Sequence, residues 1–189
     1  MSVKSRKLIK HVGRAIFRRF SRNRARNLPE LLVCSPGGVA TTALMRHLRQ
    51  YKSINNPGDS DGLKHMPRPP GDYVKILFVA GDPEAVFVSL KRRGWVQAQS
   101  SKLGSLAGVV LRGQAQKIAF KRAVKMQLRR FDVSTKKKEI LIVSYDELWE
   151  RLHEIAEFAG IDDDRFIKDF PPRVRRLSDY SLENAGLLD

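Results

Sequence analysis

Three runs along the chain are apolar at nearly every position: residues 31–35, "VKILFVAG" at 74–81 and "EILIVSY" at 139–145. Their length and β-branched content predict strands. Apolar residues that run on, instead of alternating with polar ones, predict strands covered on both faces, the mark of a parallel sheet. The intervening segments follow the helical period. Thr41 to about Tyr51 reads as a helix, and a second starts at Pro83 with Val86, Phe87 and Leu90 inward. Residues 114–131 read as a basic helix with Ile118, Val124, Leu128 and Phe131 inward. Residues 146–160 read as an amphipathic helix with Leu148, Leu152, Ile155 and Phe158 on one face and Gly160 as its C-cap. Strands alternating with helices predict an α/β domain, a three-layer sandwich around a central parallel sheet, over residues 29–189.

Between these elements lie turn-forming clusters. "SINNPGDSDG" at 53–62 and "RPPGD" at 68–72 concentrate Asn, Asp, Gly and Pro, and "KKK" at 136–138 reads as a solvated turn. "SSKLGSLAG" at 100–108 is small and soft, the composition of a lid. Ahead of the domain, Leu8, Val12, Ile16 and Phe20 recur every four residues, so residues 1–28 predict a basic amphipathic helix.

Charge sharpens that division. Of 36 Lys and Arg residues, ten lie in residues 1–28, which hold none of the 20 acids; the rest of the chain keeps 26 basic and 20 acidic groups, a net +6 of the total +16. A basic amphipathic helix suits an anionic membrane surface, lying in the interface without crossing it. The same composition also fits a solvated basic arm or an organelle transit peptide. Nucleic acid is the weaker partner, because charge alone supports it and no recognition module accompanies it. No stretch approaches the roughly 18 uninterrupted apolar residues of a membrane span. The single cysteine, Cys34, excludes an intramolecular disulfide and makes a reducing compartment, the cytoplasm, the default. It sits in the first apolar run and reads as a small buried hydrophobe. No Cys/His cluster has metal-ligand spacing.

The candidate chemistry lies at the turns after the strands. "LLVCSPGGVATTAL" at 31–44 runs from strand through Gly37 and Gly38 into a helix start. That arrangement aims successive backbone N–H groups and a helix N-terminus at an anion. The backbone of Gly37, Gly38, Val39 and Ala40, with the hydroxyls of Thr41 and Thr42, forms the candidate loop. Nothing between 37 and 46 is lysine, so the G-x-x-x-x-G-K-[ST] pattern of nucleotide hydrolases is not met. The turn Gly81-Asp82-Pro83 follows the second strand and falls on the same rim, where parallel sheets bind ligands.

Four stretches, taken in order, resemble the PAPS-dependent sulfotransferases, where PAPS is 3′-phosphoadenosine 5′-phosphosulfate. "SPGGVATTAL" is similar to the family's 5′-phosphosulfate loop. "LKHMP" at 63–67 resembles its Lys-Thr-His-Leu-Pro segment, "ILFVAGDPEAVFVSLKRRGW" at 76–95 its 3′-phosphate motif, and "ILIVSYDELWERLHEIAEFAGI" at 140–161 a later strand–helix unit. The resemblance spans about residues 31–161. It implies a P-loop-kinase-like sandwich and sulfuryl transfer from PAPS to an acceptor hydroxyl or amine, without a metal. It further implies that Gly37 to Thr42 hold the 5′ phosphosulfate, Ser89 contacts the 3′-phosphate and His65 takes the acceptor's proton.

The sequence also departs from the family pattern. Gly38 or Val39 stands where the loop lysine belongs, Ala40 replaces a glycine, and Gly81 stands where the 3′-phosphate arginine belongs. Lys64 and His65 are adjacent, and on an extended strand neighbours point to opposite faces. Compensation is expected from Lys64 at the sulfonate, from Arg92 and Arg93 (with Lys91) at the 3′-phosphate, and from Arg173, Arg175 and Arg176 closing over the nucleotide. Two rivals remain: a sulfotransferase-like anion-binding module without activity, and a P-loop-fold phosphotransferase. Nothing in the sequence marks the class of the acceptor.

Overall fold

The computed structural model describes residues 29–71 and 75–173. The amphipathic segment predicted over 1–28 and the arginines at 175 and 176 lie outside the described residues. The elements run β1 (Leu32–Cys34), α1 (Thr41–Leu48), β2 (Lys75–Ala80), α2 (Pro83–Arg92), α3 (Val96–Lys102), α4 (Leu106–Val110), α5 (Gly113–Ser134), β3 (Glu139–Ser144), α6 (Leu152–Ala159) and α7 (Arg165–Lys168). The three strands form one parallel sheet in the order β1-β2-β3, with Leu32 opposite Ile76 and Ile76 opposite Ile140. The chain is an α/β protein, as the strand and helix pattern predicts.

The unbroken apolar strands have the expected consequence, because each face of the sheet meets its own apolar cluster. Val33, Leu77, Val79 and Val143 pack with α1, α2 and α6, whereas Leu32, Cys34, Ile76 and Phe78 pack with Leu63 and Phe131. Cys34 is fully buried, and that burial pushes its thiol far above its ordinary range, so it is an inert core residue.

The free edge of β1 is covered by the segment predicted as loop at 53–62. Asn55 is buried, and its side chain takes the place of a neighbouring strand. Its Oδ1 accepts from Val33 N at 2.8 Å, and its Nδ2 donates to Val33 O at 3.0 Å. Ser35 N then donates to Lys64 O at 2.9 Å. An edge that would otherwise expose unpaired backbone groups is thereby closed, at about 1 kcal/mol per hydrogen bond.

Several boundaries differ from the sequence expectation. Helix α1 ends at Leu48 and residues 49–51 are turns. The soft stretch 100–108 comprises the end of α3, a Gly104 turn and the start of α4. In α5 the inward stripe is Phe120, Val124, Gln127 and Phe131, spaced four, three and four residues; Ile118 and Leu128 lie off that stripe and are 60% and 37% exposed. Residues 146–151 are turns and the helix begins only at Leu152, with Phe158 half-buried beneath the Lys75 ammonium. Gly160 ends it in the left-handed conformation at φ 67°, as its position predicts.

The turn from β2 to α2 is built from Asp82, whose Oδ1 caps Glu84 N and Ala85 N at 2.9 Å each, with Pro83 at the first helical position. Gly81 is required there. A Cβ at this position would overlap Val39 Cγ1 and lie 2.8 Å from Val86 Cγ2. Gly81→Ala is therefore expected to cost about 1–3 kcal/mol in chemical denaturation. The Gly81→Ala/Val39→Ala double variant is expected to recover part of that loss, and strict additivity would rule out the contact.

Candidate functional site

The carboxyl ends of all three strands open on one cavity of about 720 Å³. After β1 come Gly37 to Ala43, after β2 come Ser89 and Arg92 on α2 with Arg93 as its C-cap, and after β3 comes Tyr145. Gly37, Gly38, Val39, Ala40, Thr41, Thr42, Lys64, His65, Ser89, Arg92 and Arg93, all named from the sequence, line it. The Gly81-Asp82-Pro83 turn, expected on the same rim, and the exposed Lys91 do not. Arg173 is turned elsewhere: it pairs with Asp146 at 2.5 Å and lies over the Tyr145 and Trp149 rings.

Three residues with positive φ shape the loop. Gly37 and Gly38 have φ of 91° and 74°, and Ala40, the cap of α1, has φ 51°. The first two conformations need glycine; the third costs about 1 kcal/mol at an alanine. No side chain caps α1 and its first turn holds no acid, and the residues of that first turn, Thr41 to Ala43, line the cavity.

The loop glycines are bracketed on two sides. A Cβ at Gly38 would lie 3.4 Å from both Ser89 Oγ and Arg93 Nη2, and Arg93 Nη2 donates to Ser89 Oγ at 2.9 Å. A Cβ at Gly37 would lie 3.3 Å from Gln99 Cδ and 3.6 Å from His65 Cε1. Gln99 is buried, lines the cavity, and its Nε2 has no hydrogen-bond partner. A buried orphan donor beside a phosphate-type loop fits an anionic oxygen as its missing acceptor.

Lys64 and His65 reach this loop together, contrary to the strand expectation, because they occupy a turn where the alternation of faces does not apply. Lys64 is buried; its Nζ donates to Thr42 Oγ1 at 2.6 Å and to Pro57 O at 2.9 Å. Burial pushes its ammonium below the usual range. Asp59 opposes this, while Lys102, Arg46 and Arg93 add to it. Asp59 also fixes the turn from below, accepting Lys64 N at 2.9 Å and Lys102 Nζ at 2.5 Å.

His65 Nδ1 lies 2.9 Å from Ser35 O, so the ring donates there and its Nε2 keeps the lone pair. Burial lowers its pKa from 6.5 to about 4, with the Ser35 bond and Asp59 opposing and Lys64 assisting. The imidazole is therefore neutral at pH 7. Gln127 on α5 supports the same carbonyl, donating to Ser35 O at 3.4 Å and to Met66 O at 2.7 Å.

Sequence reading does not single out Arg46, Trp95, Gln99 or Tyr145, which also line the cavity. Arg46 follows Thr42 by one helical turn, a spacing that puts both on one face of α1. Trp95 is placed by a Schellman end to α2, in which Gly94 N bonds Lys91 O and Trp95 N bonds Leu90 O. The indole is 57% exposed at the cavity lip, with Arg93 over its ring at 5.2 Å. The "RRGW" stretch carries that signal. Gln99 has none, because only the packing of α3 brings it to the loop. Among the described residues the lining thus holds Arg46, Lys64, Arg92 and Arg93 and no carboxylate. Among the described residues no group of three or more His, Cys, Asp or Glu is placed to hold a metal ion.

No protein-family model matches this chain, and no curated protein or solved structure shows significant similarity to it. The functional reading therefore rests on the site.

Two protonation states of His65 have a measurable consequence. The unfolded chain takes up the His65 proton below about 6.5, whereas the folded chain resists it until about 4. The contribution is complete above pH 6.5 and is lost as the pH falls towards 4. Between pH 7 and 4, wild type is expected to lose up to about 3 kcal/mol more stability than His65→Asn in urea denaturation, and equal losses would contradict the part-buried neutral imidazole.

Proposed function

We propose that this chain is a small, divergent sulfotransferase with a P-loop-kinase-like three-layer sandwich, moving a sulfuryl group from PAPS to an acceptor hydroxyl or amine. The observation that carries the reading is the Lys64 ammonium 2.6 Å from Thr42 Oγ1. A loop that lacks its own lysine receives one from the segment folded against the edge of β1. The site fits the donor in its chemistry. Among the described residues four cations and no carboxylate line the cavity, with an orphan Gln99 amide, two threonines and an uncapped helix start around the loop.

PAPS, when bound, supplies an activated sulfuryl group whose bond to the 5′-phosphate breaks as the acceptor oxygen or nitrogen bonds to sulfur. The chain's own residues do the rest. Backbone N–H groups of 37–42 and the two threonine hydroxyls orient the anion. Lys64 and Arg46 hold positive charge where negative charge develops on the leaving phosphate. Ser89, Arg92 and Arg93 supply donors for a second phosphate, in place of an arginine that Val39 leaves no room for at position 81. His65 Nε2 accepts the acceptor's proton, with Nδ1–H anchored on Ser35 O. Negative charge at the loop raises the ring's pKa from its low value in the free protein, so the base strengthens as the site fills.

Among the described residues no carboxylate lines the cavity, which weighs against a phosphotransferase that holds magnesium on protein oxygens. An inactive anion-binding module is the reading to separate, since it keeps the same loop. In calorimetric titration of the full chain, adenosine 3′,5′-bisphosphate is expected to bind more tightly than ATP or AMP, and absence of its binding overturns both sulfotransferase-type readings. His65→Ala is expected to keep that binding and to lower sulfuryl transfer by about 10²–10⁴-fold. Undiminished transfer removes His65 from the role of base. Lys64→Met is expected to weaken bisphosphate binding and transfer together.

A further inference from the structure

A second surface adjoins the anion cavity and is unlike it. From Trp95 to Phe131 the chain contains eight Lys and Arg residues and no Asp or Glu. Two grooves of about 710 and 500 Å³ run along the outer side of α4 and α5, sharing Ile118, Arg122 and Met126. Large aliphatic side chains stand out from this surface: Leu106 is 78% exposed, Val110 68% and Ile118 60%. Ile118 and Leu128 are the residues that sequence periodicity assigns to the core and that the fold leaves outside. Arg122, Lys125, Arg129 and Arg130 are exposed among them.

We infer that this α4–α5 surface docks the protein on an anionic lipid bilayer. Glu84 pairs with Lys117 and Lys121 beside the second groove, but among the described residues no acid lines either groove, and protruding aliphatic groups set among Arg122, Lys125, Arg129 and Arg130 match a surface that seats in the headgroup region. The charge is complementary to anionic lipid. Neither groove is lined by an aromatic side chain, so the stacking platform that single-stranded nucleic acid needs is missing there. No helix among the described residues is long and apolar enough to cross a membrane, so the contact is peripheral. It is also separate from the basic segment 1–28, because its residues belong to the packed domain.

The surface and the anion cavity share two walls. Helix α3 gives Gln99 to the cavity and is followed by Leu103 in the groove; the 64–68 segment gives Lys64 and His65 to one and Pro67 and Arg68 to the other. Seated on a bilayer, the cavity lies beside the headgroups. The acceptor class is then a lipid headgroup hydroxyl or amine, a consequence that rests on the transferase reading, whereas the docking does not.

Co-sedimentation of the full chain tests the docking, using phosphatidylcholine vesicles with about 30% phosphatidylglycerol against phosphatidylcholine alone. Leu106→Glu/Val110→Glu and Arg122→Glu/Arg129→Glu change exposed side chains only. Each is expected to weaken binding to the anionic vesicles by about tenfold or more, with bisphosphate titration unchanged. Wild-type binding by both variants overturns the inference and leaves any vesicle binding to residues 1–28. A solvatochromic fluorophore attached at position 110 of a Val110→Cys variant gives a local readout, since Cys34 is fully buried and stays unlabelled. Its emission is expected to shift to the blue on anionic vesicles. A shift produced by polyglutamate or duplex DNA, but not by vesicles, overturns the inference. Loss of bisphosphate binding with vesicle binding intact sinks the transferase reading alone.

Discussion

The backbone of Ser35 is the point on which the site depends. Its N–H donates to Lys64 O, and its carbonyl accepts from His65 Nδ1 and from Gln127 Nε2. Ser35 is the first residue beyond β1 and is fully buried. A buried carbonyl must be paired, and here pairing it joins three segments far apart in sequence: the end of β1, the 64–66 turn and α5. The covering of the β1 edge by Asn55 is part of the same arrangement. An edge strand left open would be a hazard, and the segment that closes it is the one that carries Lys64 and His65 to the phosphate-type loop.

The loop and the charge beside it come from different parts of the chain. The loop glycines and Ala40 turn the chain from β1 into α1 at the cavity wall. The cation comes from Lys64, delivered across space and held by Thr42, Pro57 and Asp59. Burying that ammonium is unfavourable, and two direct acceptors with a nearby carboxylate offset the cost. On the other side, Val39 fills the space beside Gly81, and the second cluster of positive charge sits at the far end of α2, at Arg92 and Arg93.

Much of the architecture was legible before the structure. Unbroken apolar runs identified all three strands and their parallel pairing, because burial on both faces requires apolar side chains on both. The glycine pair, Asp82-Pro83 and Gly160 marked turns whose backbone torsions or caps few other residues support. Legibility failed where periodicity was ambiguous. In α5 the apolar Ile118 and Leu128 fit a helical stripe as well as Phe120 and Gln127 do, and only the position of the sheet selects between them. The turns at 146–151 carry helix-forming residues throughout, so propensity extends a helix that packing starts later.

The sequence by itself determined the α/β class, the glycine turn after β1 and the net positive charge, since these follow from local torsions, burial pattern and residue type. Tertiary structure alone decided that Lys64 reaches Thr42, that Gln99 and Arg46 line the same cavity as the loop, that His65 is part-buried and neutral, and that Ile118 stands on the surface. Each of those depends on contacts between residues distant in the chain. Their energies arise only once burial has removed water, and no local pattern encodes which partners burial brings together.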